Sequence, residues 1–290
     1  MKLDHKYILY ELYAIRGDIK HYFHFFYAVL IPLILEYIEY KKKYENVTFI
    51  IKDDVGPFFR ILFELPIDIK IQNFLIDNNE KNIEKKYLIP LDTQVMDKKS
   101  IRWIKLKRAG FFTKSMCLKI NKWFNEQVNH YDFYIHPPKY SIDILIIERK
   151  TNISYKSLYG KETNNIFKKT GSERRYIMNH KEFVKYIKDY YPNKNIINIS
   201  TEYLPIFEQY YIFNNTKILI GQHGASFANI IFMKKNSIVI EIMCKERLNE
   251  NWFLELSKVC NNINYKQYLT DNEIVNINLN DFGNFLNKNI

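Results

Sequence analysis

The chain has 290 residues, 47% of them hydrophobic, enough for one large domain or two ordinary ones with real cores. Its longest strongly apolar stretch, residues 27–35, contains Pro32 and stops at Glu36, short of the ~20 residues that cross a bilayer, so no membrane span is expected. The formal net charge of +11 is concentrated, because residues 149–188 hold 11 Lys or Arg against 3 Glu; such a segment suits nucleic acid, a phosphorylated small molecule or plain solvent.

Residues 1–20 have no uninterrupted apolar core followed by a small-residue cleavage site, so no secretory signal is read there. Cys117, Cys244 and Cys260 are odd in number and far apart, which fits a reducing compartment and makes no metal-site spacing. The expectation is a cytoplasmic protein. The many Lys, Asn, Ile and Tyr fit an AT-rich genome, a large virus among the sources.

In chain order, Asp18 can cap a helix running through Tyr22, Phe25, Phe26, Val29, Leu30, Leu33 and Ile34 toward the lysines at 41–43. Residues 47–51 read as a buried strand that ends in Asp53, Asp54 and Gly56, with Pro57 at the first turn of a helix through Leu62. Short strands are expected near 67–71 and 87–89, and a helix over 114–128. His136-Pro137-Pro138 forbids helix, and the domain boundary is placed there, giving domains 1–135 and 136–290. The second half opens with a strand at 142–147. A basic loop follows, then helix 180–190, strand 195–199, helix 202–214, strand 217–220, strand 237–242, helix 250–260, strand 263–268 and helix 281–287. That alternation is the rhythm of an α/β fold.

The stretch IGQHGASFAN, residues 220–229, places His223 between glycines where a strand gives way to a helix. In open α/β sheets ligands bind at such strand ends, and the first N–H groups of the helix favour an anion. Gly224-Ala225-Ser226 is loosely like a nucleophile elbow, but that arrangement needs a later histidine and none follows His223. The segment also lacks the lysine of a phosphate-binding loop and the three glycines of a dinucleotide fingerprint. His21 and His24, one helical turn apart, are by spacing more simply a packed pair than metal ligands. No D-x-D triplet occurs anywhere.

The runs ILIGQHGASFANIIFM (218–233) and NSIVIEI (236–242) resemble the signature of glycosyltransferase family 61, a G-x-H-G-A turn, an Asn, a Phe-Met pair and a strand ending in Glu-Ile. Upstream, IIER (146–149), RYIMN (175–179) and FEQ (207–209) appear in the right order; downstream, Phe253, Leu256, Ser257, Tyr265 and Tyr268 resemble the closing helix and strand. The likeness covers about 142–268. A weaker one is YFHFF (22–26) with IPL (31–33), similar to the family's H-x-F and I-P-L.

The resemblance implies a GT-B-like architecture, two Rossmann-like domains facing across a cleft, with an N-terminal acceptor side and a C-terminal nucleotide-sugar-binding domain. It implies an inverting transfer with no metal and no other cofactor, from a nucleotide sugar expected to be UDP-linked, to a hydroxyl of a glycan or protein acceptor. By this analogy Arg149 and Arg175 hold the diphosphate. His223 and the N–H groups after Gly224, beginning with Ala225, contact phosphates or sugar, and Glu241 accepts from ribose or sugar hydroxyls. For His223 the competing reading is a turn histidine bonded to backbone; for Arg175 and Glu241 it is a surface ion pair.

A single displacement needs a base for the acceptor hydroxyl. The family carries a carboxylate four residues after the first-helix histidine, and here that position is Ala28. Either His24, or Asp53 or Asp54, takes the role, or the chain binds a nucleotide sugar without turning it over. Asp54 has the better topology, and its competing role is a helix cap. A nucleic-acid-binding protein is the remaining rival, though no nucleic acid is expected as a partner.

Overall fold

The computed structural model of the chain describes residues 3–11, 22–51, 58–71, 103–105, 113–129, 141–149, 174–201, 204–260 and 263–290. The chain divides into two units, Met1–Phe111 and Phe112–Ile290. Each is built on a parallel sheet, so the fold class is α/β, as the alternating strand and helix signals imply. The stretch 136–138, where the sequence marks a break, and the expected strand at 87–89 lie outside the described residues.

In the first unit β1 (Leu3–Glu11), β2 (Tyr44–Ile51), β3 (Asp68–Ile71) and β4 (Trp103–Lys105) stand in the order β3-β2-β1-β4, each pair parallel. Strand β2 is buried from Val47 to Ile51. The long first helix is interrupted: α1 (Tyr22–Phe25) passes through a π-helical turn, Phe26–Leu30, into α2 (Ile31–Lys41). Pro32 is the physical reason, since it has no N–H and its ring crowds the carbonyl four residues back. The turn before it widens, and Ile31 N–H donates to Phe26 O, five residues back. Helix α3 (Phe59–Phe63) completes the described part of this unit.

The second unit holds β5 (Ile142–Ile147), β6 (Tyr176–Ile177), β7 (Ile196–Ile199), β8 (Thr216–Gln222), β9 (Ile238–Cys244), β10 (Asn264–Thr270) and β11 (Ile274–Val275). Its main sheet has the order β10-β9-β8-β5-β7, all parallel, and β6 pairs with β11 in a small sheet of their own. From β5 the chain builds β7 on one side and then β8 on the other. The order therefore reverses between β5 and β8, and the crevice beyond the carboxyl ends of those strands is where a doubly wound sheet accepts a ligand.

One face of this sheet buries Ile144, Ile146, Ile220, Ile240 and Ile242 against Phe183 and Ile187 of α5 (His180–Tyr190) and Phe282 and Leu286 of α8 (Leu279–Asn289). The other face carries α4 (Lys114–Val128), α6 (Ile206–Asn214), a 3₁₀ helix at Ala225–Phe232, and α7 (Trp252–Val259). Phe124 is the hub there, with ring centroids 5.4, 5.1 and 4.8 Å from those of Phe207, Tyr210 and Phe232. Helix α4 starts on Thr113, whose hydroxyl accepts from Met116 N–H. It is tied to this unit by Asn121 Nδ2, which donates to Ile231 O at 2.6 Å, and by the thiol pair Cys117–Cys260 at 3.4 Å. Among the described residues no helix is long and apolar enough to cross a membrane.

Candidate functional site

The chemistry collects at the reversal point. Strand β5 is apolar and buried from Ile144 to Ile147 and ends where Glu148 N–H bonds Ile199 O, so the next residue, Arg149, leaves the sheet at its carboxyl edge. Its Nη1 donates to the carbonyl of His223, 2.5 Å away, in the turn after β8. Gly224 makes this possible. A Cβ there would lie 1.8 Å from Arg149 Nη1 and 2.7 Å from Cζ, so the missing side chain is the room the guanidinium occupies. Its φ of 169° is extended backbone, so the requirement is for space and not for a left-handed conformation. Ala225 opens the 3₁₀ helix, and Ser226 fixes that first turn through a 2.7 Å hydroxyl contact with Thr201.

The imidazole of His223 is held from several sides. Its backbone N–H donates to Ile242 O, its ring lies 5.4 Å from that of Phe253, and only 5% of the residue is exposed. Nδ1 is 2.7 Å from Glu241 Oε1, and Nε2 is 3.3 Å from Glu250 Oε2. The first is a hydrogen bond, and the second is a longer charge contact. Glu241 is 1% exposed, and register explains its partners, since Gly221 and Gln267 flank it on the neighbouring strands. Gln267 Nε2 donates to its second oxygen at 2.8 Å. Both carboxylate oxygens are thus engaged inside the protein. Beside them, burial and then the charge of Glu241 push the Tyr265 phenol well above its ordinary pKa.

A ring of charge surrounds this histidine. Strands β6 and β11 run parallel, Tyr176 opposite Ile274, so the residues just before them, Arg175 and Glu273, leave the ladder at the same end. Arg247 pairs with Glu273 through Nε and with Glu250 through Nη1. Gln222, the last residue of β8, donates to the Glu273 carbonyl. Burial, then the like charges of Arg247 and Arg174, hold the Arg175 pKa below its usual value, against the pull of Glu273 and Glu250. The Nε atoms of Arg174 and Arg175 are buried without a hydrogen-bond partner. Cations crowded this closely are stabilised by an anion.

Of the residues singled out in the sequence, Arg149, His223, Gly224 and Ala225 come together in one turn, and Arg175 and Glu241 are joined to it through shared partners. Glu241 lies inside β9, which continues to Cys244. It stands behind His223, with Oε1 on the imidazole and Oε2 on Gln267. His24 falls in α1, its side chain outside the described residues, as are Asp53 and Asp54 altogether. Sequence reasoning missed Arg247, Glu250, Gln267 and Glu273. The run KERLNE at 245–250 carried a usable signal, a charged loop directly after a strand's carboxyl end. Gln267 carried none, because its role depends on strand register. Among the described residues no group of three or more His, Cys, Asp or Glu is placed to hold a metal ion.

Compared with known protein families, residues 22–240 match Glycosyltransferase 61. Among curated proteins no match is found. The family match spans well over half of the chain and takes in β2, β5, β8 and the His223 turn, on the sheet architecture just described. The chain belongs to glycosyltransferase family 61.

Proposed function

We propose that the protein is an inverting, metal-independent glycosyltransferase of GT-B architecture, which takes a sugar from a nucleoside-diphosphate donor, UDP-linked, and passes it to a hydroxyl of a glycan or protein. The observation that carries this reading is the Arg149 guanidinium seated over Gly224, beside His223, at the point where the sheet order reverses. A diphosphate leaving group needs its developing charge met as the bond to the anomeric carbon breaks, and fixed donors do this best in a partly dry site. Arg149 and Arg175 supply planar forks suited to phosphate oxygens. His223 and the N–H groups that begin with Ala225 add directed donors. Glu241, with Gln267 behind it, orients the imidazole, and it is the residue proposed to accept from the donor's ribose or sugar hydroxyls.

In this reading the acceptor oxygen forms its bond to the anomeric carbon from the side opposite the diphosphate, and a base takes the hydroxyl proton. His24 or Asp54 of the first unit is proposed for that role. The test is thermal stabilisation by UDP, GDP and CMP, with EDTA present and then with Mg²⁺ or Mn²⁺ added. A ligand at ~100 times its dissociation constant stabilises a fold by about 2.7 kcal/mol. One nucleoside diphosphate should raise the midpoint in EDTA and fail to do so in Arg149→Ala and His223→Ala. No shift from any nucleotide, with steeply salt-dependent binding of DNA or RNA instead, would sink the donor-site reading. Transfer that survives in His24→Ala and Asp54→Asn alike would remove both as the base.

A further inference from the structure

His223 is flanked by two carboxylates that differ in freedom. Glu241 is enclosed within β9, its side chain 2% exposed, and is tied again by Gln267. Glu250 has a side chain 39% exposed and sits in the short loop between the 3₁₀ turn Lys245–Arg247 and α7. Its Oε2 covers the one ring nitrogen of His223 that Glu241 does not hold, and its Oε1 takes Nη1 of Arg247. Arg247 keeps a second carboxylate, Glu273, whichever way Glu250 points.

We propose that Glu250 is an acidic gate on the donor site: its carboxylate occupies the place of a phosphate oxygen on His223 and Arg247, and a diphosphate displaces it and recruits Arg247 as a further anion-binding residue. The inference rests on the donor-site reading above. A carboxylate and a phosphoryl oxygen accept from an arginine fork and an imidazole N–H in the same manner. Without ligand, Glu250 offsets part of the repulsion that Arg174 and Arg247 exert on Arg175. With a diphosphate bound, the same carboxylate is a like charge in contact with it, so it must leave. Its exposure and its place on a loop allow the swing, whereas Glu241 has no such path. A weak monovalent anion does not bring enough charge to open the gate, and the site is thereby biased toward diphosphates.

Isothermal titration of the full chain with inorganic pyrophosphate and with UDP, at fixed ionic strength, tests this. Glu250→Gln keeps the shape and removes the charge, and it should tighten both probes by about fivefold or more. Arg247→Ala should weaken both by about tenfold, the scale of one charge-assisted hydrogen bond. In the double variant the gain from Glu250→Gln should shrink, because the gate has lost one of its two seats. Glu246→Gln removes an equal charge from an exposed position in the same loop and controls for net charge. Binding by the parent chain with no tightening in Glu250→Gln, or with equal tightening in Glu246→Gln, overturns the gate and leaves the donor site standing. Failure of the parent chain to bind either probe overturns the donor-site reading, and the gate with it.

Discussion

Arg149 and Gly224 share one volume: the guanidinium at the end of β5 stands where a Cβ on Gly224 would be. The atoms that a new methyl group would meet are the far end of a long side chain, so the side chain yields and the backbone need not. Gly224→Ala should therefore cost about 1 kcal/mol or less in unfolding free energy. It should nonetheless lose nucleoside-diphosphate affinity nearly as fully as Arg149→Ala. Arg149→Lys should not rescue binding, since a point charge cannot reproduce the fork. A thermal midpoint beside a UDP titration separates the two effects; a Gly224→Ala protein that binds as well as the parent would show that Arg149 is dispensable to the site.

Glu241 serves His223 and Gln267 at once in a place closed to water. Truncation to Ala leaves both donors without an acceptor, and each buried bond to a charged group is worth about 1.5–3 kcal/mol. The expected result in urea is an unfolding free energy lower by about 3 kcal/mol, seen as a lowered midpoint with an unchanged slope. Nucleotide affinity should fall as well, because the imidazole loses its orientation. An Ala variant as stable as the parent would mean that water reaches the pair after all.

The Asn179 amide spans the backbone of Ile277, donating to the carbonyl at 2.9 Å and accepting from the N–H at 2.8 Å. Asn179→Asp removes the donor and sets a carboxylate against a carbonyl. A loss of about 2 kcal/mol is expected, with donor affinity following only through Arg175 nearby. Amide hydrogen exchange at Ile277 is the direct readout, and unchanged protection there would contradict the clamp.

Asp143 joins three strands' worth of chain at the amino edge of the sheet, bonding Lys217 Nζ at 2.8 Å and the Asn195 N–H at 2.9 Å. The hydrogen bond from Lys217, then that from Asn195, holds its pKa below the ordinary carboxylate range. A depressed folded-state pKa adds stability that is present above the unfolded value and is lost as the pH falls through the folded one. Asp143 is half-buried but its partner Lys217 is exposed, so solvent screens the pair; the effect should be at most about 1 kcal/mol and should shrink with added salt. Thermal midpoints taken downward from about pH 6 should fall less steeply in Asp143→Asn than in the parent. Parallel curves would assign the acid sensitivity elsewhere.

The turn itself was legible from sequence because its signals are local. The mainly apolar stretches at 142–147 and 217–220 mark buried parallel strands, found as β5 and as the middle of β8, and a histidine between glycines marks the end of one. Helices over 114–128 and 180–190 fall where their periodicity puts them. Strands β1 and β4 were not read, since LDHKYILYE mixes charge with apolar residues and three residues make no pattern. Glu241 was read as ending its strand, yet Met243 and Cys244 extend β9 to pair with Leu269 and Thr270. The partners of His223 were out of reach for a different reason. Which residue of β10 faces Glu241, and which segment pairs with Tyr176, are matters of register between distant stretches, and no single-chain spacing encodes them.

The small ladder of β6 with β11 also bears on the order in which this unit can assemble. It joins positions nearly a hundred residues apart, as the clamp from Asn179 to Ile277 does. Closing so long a loop for so few backbone bonds is entropically late, after the adjacent strands of the main sheet have met. A refolding chain would then present its histidine turn first and acquire Arg175 and Glu273 beside it afterwards. Recovery of tryptophan fluorescence should run ahead of recovery of anion binding, by the time that the tail takes to find its edge.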